Sequence, residues 1–324
     1  MDDLLCLSDL LNDDERMIRD SVARFVKQDV IPLMPEAFEQ GHFPKAFIKQ
    51  TAQMGLLGLT LPVEYGGSAA SYTAYGLVCQ ELEYGDSGLR SFVSVQSSLC
   101  MYPIFQYGTE EQKKQFLPAM AAGEVIGCFG LTEPDSGSDP SSMHTYAKKV
   151  TGGWLLNGTK MWITNATIAD IAIVWAQTEE GIRGFIVEKD FKGFSAREIK
   201  LKMSLRASIT GELVFDDVFI PEQNYLPGSE RGLGAALACL NQARYGIAWG
   251  VIGAARACFD ITRDYLLERK QFDKPLAANQ LIQSDLAQMY TELHKAQCMH
   301  LQIGHLKDKK QDKPAMISLA KRNT

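Results

Sequence analysis

The strongest constraint on this chain is a change of period, made twice. After Asn12, the residues Met17, Ile18, Val22, Phe25 and Val26 recur at helical spacing, and helical signals continue to about Ala122. At about Glu124 they give way to short β-branched and aromatic runs, "VIGCFGLT", "WLLNGTKMWIT", "ADIAIVWAQ", "RGFIVEKD" and "GELVFDDVFIP", parted by turn residues. After "PGSERGLG" the helical period returns in two long runs. Such a chain is not built from one kind of layer, because each pattern buries a differently shaped apolar face. The expected class is α+β: an N-terminal helical domain over residues 1–123, a middle β barrel or sandwich over 124–234, and a C-terminal helical bundle over 235–324.

Local signals sharpen this outline. Thr109 and Gln112 form a capping box that starts a helix. Pro44 is placed to open a helix that Gly55 closes. Asn157-Gly158 reads as a hairpin turn. Gly246, Gly250 and Gly253 lie inside a long helical run at near-helical spacing, which predicts close approach of another segment rather than a break. Pro314 opens a third C-terminal helix that reaches Thr324. Two long helices and a short one do not close a bundle core, so this last domain reads as incomplete, as in a truncated chain.

Composition narrows the function. The formal net charge is −6 and the only lysine-rich stretch is "LKDKKQDK", so nucleic acid is not an expected partner. No apolar run reaches the length of a membrane span. The acidic start "MDDLLCLSDLLNDDER" resembles neither a signal nor a transit peptide, which predicts a cytoplasmic protein of bacterial type. Seven dispersed cysteines without a CxxC pair predict reduced, buried thiols. The five histidines form no metal pattern, and His294, His300 and His305 are expected on the wetter side of a helix.

The stretch "GCFGLTEPDSGSDPSS", Gly127 to Ser142, begins as a strand and turns into a loop of hydroxyls, carboxylates and turn residues. It is either a solvated surface loop or one that offers N–H and hydroxyl groups to a polar ligand. The chain has no GxGxxG after a strand, no phosphate-binding P-loop and no GxSxG elbow, so any nucleotide is held in another way.

Taken together, "GLTEPDSGSDPSS", "NGTKMWITN", "LLERKQFDKPLAANQLIQSDLAQM" and "EYGG" resemble the acyl-CoA dehydrogenase family over essentially the whole chain. The resemblance implies FAD as cofactor, an acyl-CoA substrate, electron-transfer flavoprotein as electron acceptor and a homo-oligomer, a tetramer being the family norm. By the same resemblance, Phe129 to Ser138 corresponds to the family's first flavin loop, with Leu131, Thr132, Gly137 and Ser138 at the flavin and Ser138 also at the CoA arm. Short hydroxyl residues suit that task because they donate without shielding the backbone. The alternative for Thr132 and Ser138 is a strand-end cap. Trp162, Ile163 and Thr164 resemble the second flavin segment; read alone, Trp162 and Ile163 are equally β core. Arg269 and Gln280 resemble the pair that reaches the FAD of a neighbouring subunit, although an Arg there also complements a helix C-terminus.

The acyl group is suggested by "DSGLRSFVSVQSS", where Arg90 and Ser91 interrupt an apolar helix. A buried Arg needs a carboxylate. Either Glu83, seven residues earlier, supplies it, or a substrate does. With "SLRASITGELVF" and "LNQARYGIAWGVIGAA", the stretch resembles the glutaryl-CoA branch. That implies that Arg90 and Ser91 hold the distal carboxylate, that Leu237, Asn241 and Arg244 line the substrate segment, and that the product is decarboxylated to crotonyl-CoA. The branch's base is a Glu in a Tyr-Glu-Gly-Thr stretch. That stretch is absent from these 324 residues, so the base is expected beyond Thr324, no catalytic residue is assigned and the chain as given is expected to be inactive. The rival readings are a dehydrogenase of another short or branched acyl-CoA, discriminated by Arg90, and a non-catalytic flavin or acyl-CoA binding remnant, discriminated by the base.

Overall fold

The structure, a computed structural model, describes residues 3–324; Met1 and Asp2, at the head of the acidic start, lie outside the described residues. In chain order the helices are α1 (Asp13–Phe25), α2 (Met34–Gln40), α3 (Ala46–Gln53), α4 (Tyr72–Gly85), α5 (Ser87–Ser94), α6 (Tyr102–Tyr107) and α7 (Glu110–Ala121). Seven strands follow: β1 (Gly127–Gly130), β2 (Tyr146–Val150), β3 (Gly153–Thr164), β4 (Ile171–Ala176), β5 (Arg183–Glu188), β6 (Phe194–Glu198) and β7 (Thr210–Pro221). The chain then forms α8 (Leu233–Glu268), a two-strand ribbon β8 (Lys270–Gln271) and β9 (Lys274–Pro275), α9 (Gln280–Asp308) and α10 (Pro314–Asn323). The chain divides into two compact units: one holds residues up to Met34, Ser71–Arg90 and Arg244–Thr324, the other Pro35–Ala70 and Ser91–Ala243.

The first unit is helical. Its α8 runs unbroken through the three glycines, each of which admits a neighbour where a Cβ would sit. A Cβ on Gly250 would lie 1.9 Å from Glu83 Oε2, one on Gly253 1.8 Å from the Gln80 carbonyl oxygen, and one on Gly246 3.0 Å from the Tyr75 hydroxyl. The glycines are therefore packing residues, as their spacing predicts. The start of α4 is capped twice: Ser71 Oγ accepts from Ala74 N, and the Asp308 carboxylate accepts from Tyr72 N, Thr73 N and Thr73 Oγ1. An anion at a helix N-terminus satisfies N–H groups that have no partner within the helix. His294 and His300 correct the expectation of a wet face. Both are buried, because each ring turns Nδ1 onto the carbonyl four residues back, Tyr290 O at 2.9 Å and Ala296 O at 2.7 Å, and so satisfies one nitrogen within its own helix.

The second unit carries the strands. A three-stranded sheet runs β1-β4-β5, with β1 parallel to β4, and a four-stranded antiparallel sheet runs β2-β3-β7-β6. All of β4 is buried because its two faces serve two cores. Ala172, Val174 and Ala176 meet Leu156, Leu213 and Phe215 of the four-stranded sheet, while Ile171, Ile173 and Trp175 join Met101, Ile104, Leu117 and Met120 of the helical layer. The capping box at Thr109 and Gln112 is present in both directions. Of the seven cysteines, Cys79, Cys100, Cys128 and Cys239 are buried as expected, whereas Cys6, Cys258 and Cys298 are exposed.

Asn157-Gly158 is not a hairpin turn. The β2–β3 turn falls at Thr151-Gly152, and β3 continues straight through Asn157. The Asn157 side chain instead pairs with Asp217, accepting from its N–H at 2.9 Å and donating to its carboxylate at 2.9 Å, across a register shift in β7. Gly158 (φ +143°) is required because a Cβ there would lie 2.4 Å from Thr145 Oγ1. The dipeptide thus marks a bulge and a close approach, the other structural use of Gly in a strand.

Candidate active site

The loop that follows β1 is held from behind. Gln96, fully buried, accepts from Gly127 N at 2.8 Å and donates to the carbonyls of Met120 (3.1 Å) and Val125 (2.8 Å). Asn165 Nδ2 donates to the Gly127 carbonyl at 3.2 Å. Phe129 points into the helix-facing core beside Trp175. Leu131 is buried and Thr132 half-buried, and Met161 N donates to the Thr132 carbonyl at 2.8 Å, so the loop and β3 meet there. Beyond it the chain folds on itself: Glu133 and Ser136 form a short backbone bridge, Ser136 Oγ donates to the Asp139 carbonyl, and Asp139 takes the hydroxyls of Ser141 and Ser142. Gly137 and Ser138 stand exposed, and a Cβ on Gly137 would meet no atom within 4 Å.

Beneath this loop lies an ion pair. Lys160 of β3 is fully buried; its Nζ donates to Glu133 Oε1 at 2.8 Å and to the Leu131 carbonyl at 3.0 Å. Glu133 also accepts from His144 N (2.6 Å) and Thr145 N (3.0 Å). Burial pushes the Lys160 ammonium down to about 8, against the upward pull of Glu133. Burial acts in the opposite sense on Glu133, but the hydrogen bonds from Lys160, Thr145 and His144 outweigh it and hold the carboxyl below its ordinary value. Sequence reading missed Lys160. The available signal was a lysine within the apolar run "WLLNGTKMWIT", at a position where β3 faces inward.

The second candidate segment is a bulge. Between Lys160 and Ile163, β3 carries one residue more than β7 opposite it. That extra residue lets Lys160 and Ile163 both face inward and throws Trp162 out: its φ is +63° and it is 61% exposed. A left-handed backbone is costly for a bulky side chain, and strain of this kind gathers at functional positions. Ile163 is core and Thr164 half-buried. Among the described residues the hydroxyls of Thr132, Ser138 and Thr164 have no hydrogen-bond partner. Unused hydroxyls, an indole standing off the strand and open space at Gly137 fit a flat aromatic ligand with a polar edge.

The other candidates fall elsewhere. Arg90 is 6% exposed and its Nε lies 2.5 Å from Glu83 Oε2, even though α4 ends at Gly85 and Asp86 restarts the helix by accepting from Leu89 N. Glu83 is thus the carboxylate that Arg90 meets in the free protein. It engages one of the five N–H donors of the guanidinium. Ser91 is half-buried. Leu237, Asn241 and Arg244 share a stripe of α8 by their spacing of four and three; Leu237 is 37% exposed and the other two are half-buried. Arg269 and Gln280 are exposed and flank the β8–β9 ribbon, whose tip residue Phe272 is 98% exposed.

The fold is that of the acyl-CoA dehydrogenase family. The N-terminal domain of that family matches residues 12–124, the middle domain 128–218 and the C-terminal domain 230–324, and this chain belongs to the family. The crystal structure of a glutaryl-CoA dehydrogenase from Mycobacterium smegmatis in complex with FADH2 superposes with a TM-score of 0.97 at 50% identity, covering 99% of this chain and 82% of that one. An acyl-CoA dehydrogenase of Bacillus subtilis is 39% identical over 86% of this chain and 75% of its own length. The mitochondrial 2-methylacyl-CoA dehydrogenase of Solanum tuberosum is 36% identical over 89% of this chain and 71% of its own. Among the described residues no helix is long and apolar enough to cross a membrane.

Proposed function

We propose that this chain is an FAD-binding dehydrogenase of the glutaryl-CoA branch. The observation that carries the reading is Arg90, a buried cation in an apolar helix with one donor engaged by Glu83 and further donors able to meet a distal carboxylate. The 50% identity to the Mycobacterium smegmatis glutaryl-CoA dehydrogenase supports the same reading. Bound FAD supplies a hydride acceptor for the acyl β-carbon. The chain's own residues bind and orient. Backbone and hydroxyls of Leu131, Thr132, Gly137 and Ser138 hold the polar edge of the ring system, while Trp162 covers it beside Ile163 and Thr164. Ser138 also meets the CoA arm. Leu237, Asn241, Arg244 and Ser91 line the acyl segment.

Arg269 and Gln280, beside the protruding ribbon, are proposed to reach the FAD of a second copy of the chain, which makes the functional form at least a dimer. Electron-transfer flavoprotein is the proposed acceptor, on the family resemblance. The family resemblance implies a carboxylate as the base that removes the α-proton. Glu133 and Glu83 are each bound to a cation, so neither is assigned as that base. The cofactor reading is tested by titrating flavin-free protein with FAD and following flavin fluorescence. Saturable quenching at one FAD per chain is expected; no binding up to millimolar FAD overturns the reading.

A further inference from the structure

The Lys160–Glu133 pair belongs to no flavin-contacting or acyl-contacting group named above, yet it lies between the two segments assigned to the flavin. Lys160 projects from β3 two residues before Trp162 and meets two groups of the other segment at once, the Leu131 carbonyl and the Glu133 carboxylate. Glu133 also accepts from His144 N and Thr145 N, which ties together the two ends of the stretch that contains Gly137 and Ser138. Thr145, fully buried, sits against Gly158, so the far end of the clamp is also fixed to β3. Within that stretch Pro134, Asp135, Gly137, Ser138 and Asp139 are exposed and give the loop little packing of its own. A buried ion pair is weak evidence for stability, because apolar residues of similar volume often serve as well. Its geometry here is that of a tether.

We propose that Lys160 and Glu133 are positioning residues: the pair locks the Leu131–Ser138 loop to the Trp162 bulge in the geometry that receives the flavin. This rests on the assignment of both segments to FAD. Lys160 touches no reacting atom and acts through the loop. Glu133 is the charged group facing it; the Leu131 carbonyl and Met143 Sδ (3.9 Å) complete its surroundings.

The test separates tethering from core filling. The single variant Lys160→Met leaves a buried carboxylate without its cation and is at risk of misfolding. The double variant Lys160→Met/Glu133→Gln removes both charges, keeps an amide oxygen for one of the two N–H groups that Glu133 receives on separate oxygens, His144 N or Thr145 N, and keeps a side chain of similar length in the core. Two measurements are made on wild type and the double variant. Hydrogen exchange of residues 131–145 is followed in flavin-free protein, and FAD affinity by titration. The expected result is a folded double variant with faster exchange confined to 131–145 and an FAD dissociation constant raised at least tenfold. Unchanged exchange overturns the proposal, as does faster exchange with unchanged FAD affinity. If wild-type protein binds no FAD, the cofactor reading fails, and the exchange result alone reports whether the tether exists.

Discussion

Gly250→Ala distinguishes the packing described here from helix propensity alone. In an isolated helix the change gains about 1 kcal/mol, because Gly is the poorer helix former. In this chain the new Cβ would lie 1.9 Å from Glu83 Oε2 and 3.0 Å from Arg90 Nε, where ordinary contact begins at 3.4 Å. The carboxylate would have to retreat by about 1.5 Å, far enough to part a pair whose side chains are 5% and 7% exposed. Breaking a buried pair costs roughly 3–5 kcal/mol. Set against the propensity gain, the net loss is roughly 2–4 kcal/mol. Gly234, in the first turn of the same helix, is the control: its nearest neighbour would be Arg231 Cβ at 4.0 Å, so Gly234→Ala is expected to be neutral or slightly stabilising. Urea unfolding midpoints of the three proteins, measured side by side, decide the matter. A Gly250→Ala protein as stable as wild type, or more so, refutes the described contact.

The remaining predictions address the flavin segments and the base. Trp162→Gly relieves a left-handed φ that costs an L-residue roughly 1–2 kcal/mol, so flavin-free protein should keep its stability within about 1 kcal/mol while FAD affinity falls at least tenfold; equal losses in both would contradict a functional origin of the strain. Lys160 ionises at about 8 in the folded chain against an ordinary value of 10.5, so between those pH values the unfolded chain binds more protons and stability rises with pH. That rise, up to about 3 kcal/mol, should be missing from Lys160→Met, and a pH-independent difference between the two proteins would contradict it. With Glu83 and Glu133 both ion-paired, the FAD-loaded protein should shift its flavin band but not bleach it when glutaryl-CoA is added without oxygen, whereas rapid bleaching would show that a carboxylate within these residues removes the α-proton.

The order of helix, strand and helix was legible because each change of period is carried by many residues at once. The close approach along α8 was equally legible, since Gly246, Gly250 and Gly253 have few other uses in mid-helix. Asn157-Gly158 misled because the dipeptide encodes a permissive backbone, which a strand facing the Asp217 bulge uses as readily as a turn does. His294 and His300 misled because a histidine in a helix can satisfy one ring nitrogen on the carbonyl four residues back, and its type then says nothing about exposure. Of the site, the Gly127–Ser142 loop was visible in its composition. Lys160 was not, because its burial depends on Glu133, distant in sequence, and on the one-residue bulge that keeps both Lys160 and Ile163 facing inward.

Whether Arg90 reads a substrate carboxylate is tested most directly by binding, which needs no turnover. FAD-loaded wild type and Arg90→Met are titrated with glutaryl-CoA and with butyryl-CoA, and the shift of the flavin absorbance band is followed. Because losing the partner of a buried carboxylate costs roughly 3–5 kcal/mol, wild type should prefer glutaryl-CoA by 100-fold or more over the preference left in Arg90→Met, and butyryl-CoA affinity should change little between the two. The ratio of the two ligands cancels any general weakening from the unpaired Glu83. An identical ligand ratio in wild type and variant would assign Arg90 to Glu83 alone and remove the basis for a glutaryl-CoA substrate.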